Sequence, residues 1–117
     1  MRFLAPHVVI VVAATLWAHG VLPEGAFLAV FAGAHLWAPI RAARVARPGE
    51  RTKAFLVGPG TIVGVHALLI VIIFVVILGA PPEDVWITQM LLVYWTIALA
   101  VYFVYCAIAF VVTPSRR

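Results

Sequence analysis

The chain has 117 residues, of which 66% are hydrophobic and 10% charged. Soluble domains run nearer 45–50% and about 25%, and so small a domain has too much surface per volume to hide that much apolar matter in a core of its own. The net charge of +4 comes from eight bases and four acids whose placement at segment ends points to a bilayer rather than to nucleic acid, and the single cysteine, Cys106, excludes an internal disulfide.

In chain order, a first apolar segment covers about residues 3–22. Arg2 ahead of a long apolar run also resembles the opening of a signal peptide, but no A-x-A-like site follows cleanly and three more apolar segments come after, so the run reads as a span. The stretch Gly20–Gly25 (GVLPEG) is a tight connection, with Pro23 suited to the first turn of the next helix. A second segment covers about 23–40, with Pro39 near its end, and leads into a basic loop at 41–53; the alternative is that it continues past Pro39 as an interfacial helix, which Pro48 and Gly49 end. A third covers about 55–78. After Ala80–Asp84 (APPED), a fourth covers about 85–112, and Pro114 stops it. Each is near or above the roughly 20 residues a spanning helix needs. Helix is the expected state because lipid offers backbone N–H and C=O groups no partner, and the runs lack the alternation of a barrel strand.

Charge sets the orientation. Arg2, the 41–53 loop and the C-terminal Arg116 and Arg117 place all eight bases and one acid, Glu50, on one side, while Glu24, Glu83 and Asp84 lie on the other with no base. The positive-inside bias predicts one all-α membrane domain over residues 1–117. It is a four-helix transmembrane bundle in a bacterial inner (plasma) membrane, with both termini cytoplasmic. Arg41, Arg44, Arg47, Arg51 and Lys53 are the expected headgroup and topology residues. The first three recur every third residue and share one face.

Apart from Glu24 in the connection at the start of the second, no Asp, Glu, Lys or Arg lies inside any span, which argues against proton-coupled transport by this chain alone. It argues equally against paired-carboxylate, triad or metal-assisted chemistry, so no enzyme activity of its own is expected. Four histidines remain. His7, His35 and His66 share the cytoplasmic half of the bilayer, and His19 lies near the outer end. His35 and His66, on different spans, are the candidate cofactor-binding pair: facing imidazoles can ligate haem b, and a single one can bind bacteriochlorophyll. The alternative for each is a neutral ring bonded to a neighbouring helix. Gly60 and Gly64 form a GxxxG, and Ala29 and Gly33 a small-xxx-small pair, all four being candidate helix-packing positions. Tyr94, Tyr102 and Tyr105 fall on one face of the fourth segment. They read as an interhelical seam, with a border for a quinone or pigment as the other possibility.

Two resemblances follow. The run Ala29–Pro39 (AVFAGAHLWAP) resembles the Ala/His/Trp run of bacterial light-harvesting polypeptides. Residues 2–27 resemble the B subunit of Mrp-type multisubunit sodium/proton antiporters. Arg2, Leu4 and Pro6 match an R-x-L-x-P-like opening, His19 and Gly20 a Gly/His pair in reversed order, and Pro23, Gly25 and Phe27 a P-G-G-G-F turn in which Glu24 and Ala26 replace glycines. This second resemblance implies a packing subunit within an ion-translocating assembly. The expected function is therefore a small accessory subunit of a larger energy-transducing membrane complex, with the bilayer and other membrane subunits as partners. The competing classes are a haem-, bacteriochlorophyll- or quinone-binding subunit and a small homo-oligomeric transporter or channel.

Overall fold

The computed structural model describes residues 2–115; Arg116 and Arg117, counted above with the basic end, lie outside them. The described chain is helical, with no strand among the described residues. Helix α1 is Ala5–Ala18, α2 is Glu24–Val45, α3 is Arg51–Phe55, α4 is Thr61–Ile77 and α5 is Pro82–Val112, and the π-helical segment Leu56–Gly60 joins α3 to α4 without a break. Three stretches are long and apolar enough to cross a membrane: Glu24–Val45, Arg51–Ile77 and Val85–Val112. Their exposed faces carry large apolar side chains, which suits contact with lipid.

The helix limits depart from the expected segments for local reasons. The first helix occupies only 14 residues of the 3–22 run, about 21 Å at 1.5 Å per residue, short of a full hydrocarbon core. Gly20, at φ +71°, turns the chain back so that the N–H groups of Val21 and Leu22 both reach the Leu16 carbonyl. The second helix takes the longer of the two expected courses and runs past Pro39 to Val45. Most of the basic loop is thus helical: Arg41 and Arg44 belong to α2, Arg51 and Lys53 to α3. Only residues 46–50 form the turn, around Gly49 at φ +84°. Pro59 has no N–H to give, and around it the ladder widens to the π register. Thr61 also donates its hydroxyl to the Leu56 carbonyl at 3.1 Å.

α2 is the centre of the packing, with α1, α3, the π-segment and α5 against it. Small residues let these elements close in: Ala34, Ala38, Ala42 and Ala46 recur every fourth residue of α2 and its cap, and all are buried. A close approach occurs at Gly58, where a Cβ would stand 2.8 Å from that of Ala42. The glycines and alanine singled out from sequence lie elsewhere. Ala29, Gly33 and Gly64 are exposed, the two glycines with open space where a Cβ would sit, and a Cβ on Gly60 would meet the Phe55 carbonyl and the Leu56 side chain, both nearby in sequence. Spacing alone identifies small residues but not which side of the helix has a neighbour. Gly58→Val should therefore lower unfolding stability in detergent by about 1–3 kcal/mol, the usual cost of overpacking, whereas Gly64→Ala should leave it unchanged or raised by up to about 1 kcal/mol.

One end of the molecule collects the N-terminus, the 46–50 turn and the C-terminus of α5. Phe3, Ala42, Ala43, Ala46, Ala54 and Phe110 form its apolar cluster. Arg2 pairs with Glu50 there. Arg51 does not reach outward: its guanidinium lies over the Phe110 ring and donates to the Phe110 carbonyl at 2.8 Å and the Thr113 carbonyl at 3.4 Å. A cation at the C-terminal end of α5 meets the negative end of the helix dipole. The Arg51 guanidinium also donates to Ser115 Oγ, which in turn donates to the Ala43 carbonyl. Arg41 lies over Trp37, and Arg44, Arg47 and Lys53 are exposed.

Candidate functional site

Two histidines, a tryptophan and two tyrosines meet where α2, α4 and α5 converge. α2 places His35 so that its ring faces His66 of α4, with Nε2 to Nε2 at 3.0 Å. His35 Nδ1 is 2.7 Å from the Phe31 carbonyl one turn back, and Trp95 of α5 sets its indole N–H 3.2 Å from His66 Nδ1.

The partners fix the protons. A carbonyl only accepts, so His35 carries its proton on Nδ1 and its Nε2 is a bare acceptor. An indole only donates, so His66 Nδ1 is bare and its proton sits on Nε2. The result is one directed chain in which Trp95 donates to His66, His66 to His35, and His35 to Phe31. Both rings are neutral, and all four ring nitrogens are used. The rings are inclined rather than stacked, at 50° between His35 and His66 and 81° between His66 and Trp95.

This arrangement bears directly on the tetrapyrrole expectation. Two imidazoles on opposite faces of one metal, each about 2.0–2.1 Å from it, stand about 4 Å apart with a macrocycle between. Here the nitrogens are 3.0 Å apart and share a proton. A single axial bond needs a free lone pair, and the one lone pair on each ring is already engaged. The adjoining cavity, about 200 Å³ and lined by Phe31, His35, His66, Trp95, Ala98, Leu99 and Tyr102, is below the 300–1,000 Å³ usual for larger ligands. The residues as placed do not fit haem or bacteriochlorophyll. No group of three or more His, Cys, Asp or Glu that could hold a metal ion occurs among the described residues.

The tyrosines explain why α2 survives its proline. Pro39 is buried inside the helix and has no N–H for the carbonyl four residues earlier, which is that of His35. Tyr102 donates its hydroxyl to that carbonyl at 2.7 Å, and Tyr105 donates to the next one, Leu36, at 2.6 Å. Two hydroxyls one turn apart on α5 thus serve the carbonyls beside the proline, where lipid would offer nothing. Tyr94, expected on the same face, is 63% exposed and outside this seam. His7, the third histidine of this half, ties α1 to the π-segment by donating from Nε2 to the Gly58 carbonyl at 3.0 Å. His19 is the C-cap of α1 and exposed.

Sequence reasoning paired His35 with His66 but missed Trp95 as their donor and missed the link between Pro39 and Tyr102. The available signal was a proline inside an apolar span together with hydroxyl side chains on another. Comparison of the chain with protein-family profiles, curated proteins and solved structures returns no match.

Proposed function

We propose that the chain is a non-catalytic subunit of a larger membrane assembly, with four spanning helices and both termini on the cytoplasmic face of a bacterial inner membrane. The carrying observation is the use of its polar groups. Inside the bundle, His35, His66, Trp95, Tyr102 and Tyr105 bond to one another or to backbone carbonyls and so hold helix to helix. On the outside of α5, Gln89 and Tyr94 are exposed, and neither bonds to a described residue. Gln89 lies four residues inside the apolar stretch Val85–Val112. A carboxamide that faces acyl chains lacks a polar partner, and another membrane helix supplies one.

α1, shorter than a full span by its helix alone, completes the crossing with the turn at residues 19–22. The gathering of Arg2, the 46–50 turn and the end of α5 at one pole suits the charge-derived orientation. An energy-transducing assembly is the reading that the antiporter-subunit resemblance of residues 2–27 favours, by analogy alone. Mild-detergent purification of the tagged chain from its native membrane, followed by mass spectrometry, is expected to recover larger membrane subunits in fixed stoichiometry. Recovery of the chain with lipid only, in active membranes, would overturn the subunit reading.

A further inference from the structure

The ring pair has no place for one more proton. Its bare nitrogens are His66 Nδ1, which accepts from Trp95, and His35 Nε2, which accepts from His66. A further proton leaves a single bare nitrogen, which can be any of the four. If it is His66 Nδ1, the two Nε2–H groups face each other across 3.0 Å. If it is either Nε2, an N–H on His66 Nδ1 faces the Trp95 indole N–H across 3.2 Å. If it is His35 Nδ1, both conflicts arise and a lone pair meets the Phe31 carbonyl besides. Every arrangement breaks the chain. The least costly keeps the ring-to-ring bond, now charge-assisted, and gives up Trp95.

Two cavities flank the pair. One, of about 200 Å³, is lined by Trp95 and Tyr102 of α5 among others, and one of about 140 Å³ by His7 of α1 and Thr61 of α4 among others. Tyr102 is committed to the His35 carbonyl, and neither cavity is lined by a described carboxylate, guanidinium or ammonium group that would answer a charged ring. Each has room for water, at about 30 Å³ a molecule, to take up N–H groups set free. The larger cavity adjoins a cleft of about 530 Å³ between α4 and α5. His66 and Trp95 line the cavity, while Ile70, one turn on, and Thr96, next in the chain, line the cleft. The Trp95–His66 bond thus stands where the two spaces meet.

We propose that the His35–His66 pair is an acid-released latch between α4 and α5. The neutral rings hold Trp95. One further proton, taken from water, frees it, and α4 parts from α5 while Tyr102 and Tyr105 keep α5 on α2. The open form binds one proton more than the closed form, so acid favours it. The latch rests on the directed chain of protons and not on the subunit reading.

Double electron–electron resonance tests it on the full chain in phosphatidylcholine vesicles. Nitroxides go on Leu68→Cys of α4 and Val101→Cys of α5, both exposed positions, with the buried Cys106 replaced by alanine. The measurements run from about pH 8 to about pH 4.5, on either side of the ordinary imidazole pKa of about 6.5. As pH falls, the distance distribution should gain a longer component and lose it again on return. The ratio of longer to shorter should rise by up to about tenfold per pH unit, the limit for one proton. His7 is the control: its Nε2 donates to Gly58 and its Nδ1 has no partner, so it takes a proton without breaking a bond. The response should persist in His7→Gln and vanish in the double variant His35→Gln/His66→Gln. In Trp95→Phe, which has no indole N–H to release, acid should make no difference. An unchanged distance in the labelled chain overturns the latch. So does a response that survives in the double variant or in Trp95→Phe, or one that is lost in His7→Gln.

Discussion

Replacing His66 with leucine should destabilise the protein by about 2–4 kcal/mol, more than any other single change at the convergence of α2, α4 and α5. The loss has two parts. Leucine leaves the Trp95 indole without its acceptor and His35 Nε2 without its donor. Each buried group so stranded costs about 1–3 kcal/mol, toward the lower end where the unfolded chain stays in lipid and finds other partners. Unfolding in mixed micelles by sodium dodecyl sulfate, followed by far-ultraviolet circular dichroism, measures it. Two further variants separate this cause from lost packing. His66→Gln keeps one acceptor and one donor and should lose less than half as much. Adding Trp95→Phe to His66→Leu removes the stranded N–H, so the double variant should be no less stable than His66→Leu despite a smaller aromatic ring. If the two losses simply add, Trp95 does not depend on His66 and the directed chain of protons is wrong.

That chain also explains which features the sequence made readable. Long apolar runs are imposed by the surroundings, so composition reveals Glu24–Val45, Arg51–Ile77 and Val85–Val112 almost regardless of tertiary contacts. The pairing of His35 with His66 was within reach because both lie in the half of their segments nearer the basic stretch. Helix limits were less readable because they rest on partners far away in the chain. That α2 passes Pro39 rests on Tyr102, which serves the carbonyl the proline strands and is 67 residues from His35. The basic stretch looked like a loop because charge there signals topology, yet Arg51 caps the far end of α5, and that needs the fold to be known. The GxxxG at Gly60 and Gly64 shows the same limit from the other side: the space beside Gly64 is open, while Ala42 and Gly58 form a close contact that the motif did not mark.

Tyr102→Phe should cost about 1–3 kcal/mol, and the cost should depend on what occupies position 39. In the native chain the phenylalanine leaves the His35 carbonyl with neither the hydroxyl nor a backbone N–H from position 39. In a Pro39→Ala background the alanine N–H returns the bond within α2, and the same Tyr102→Phe change should then cost at least 1 kcal/mol less. Tyr105→Phe is the internal comparison. Its acceptor, Leu36, has Ile40 as the helical donor four residues on, so its loss should be the smaller of the two. The cycle isolates a bond rather than a ring, because both substitutions to phenylalanine leave the packing volume nearly unchanged. A Tyr102→Phe penalty that is the same with proline and with alanine at position 39 would mean that the carbonyl finds another donor. The account of why a proline is tolerated in the middle of this helix would then fail.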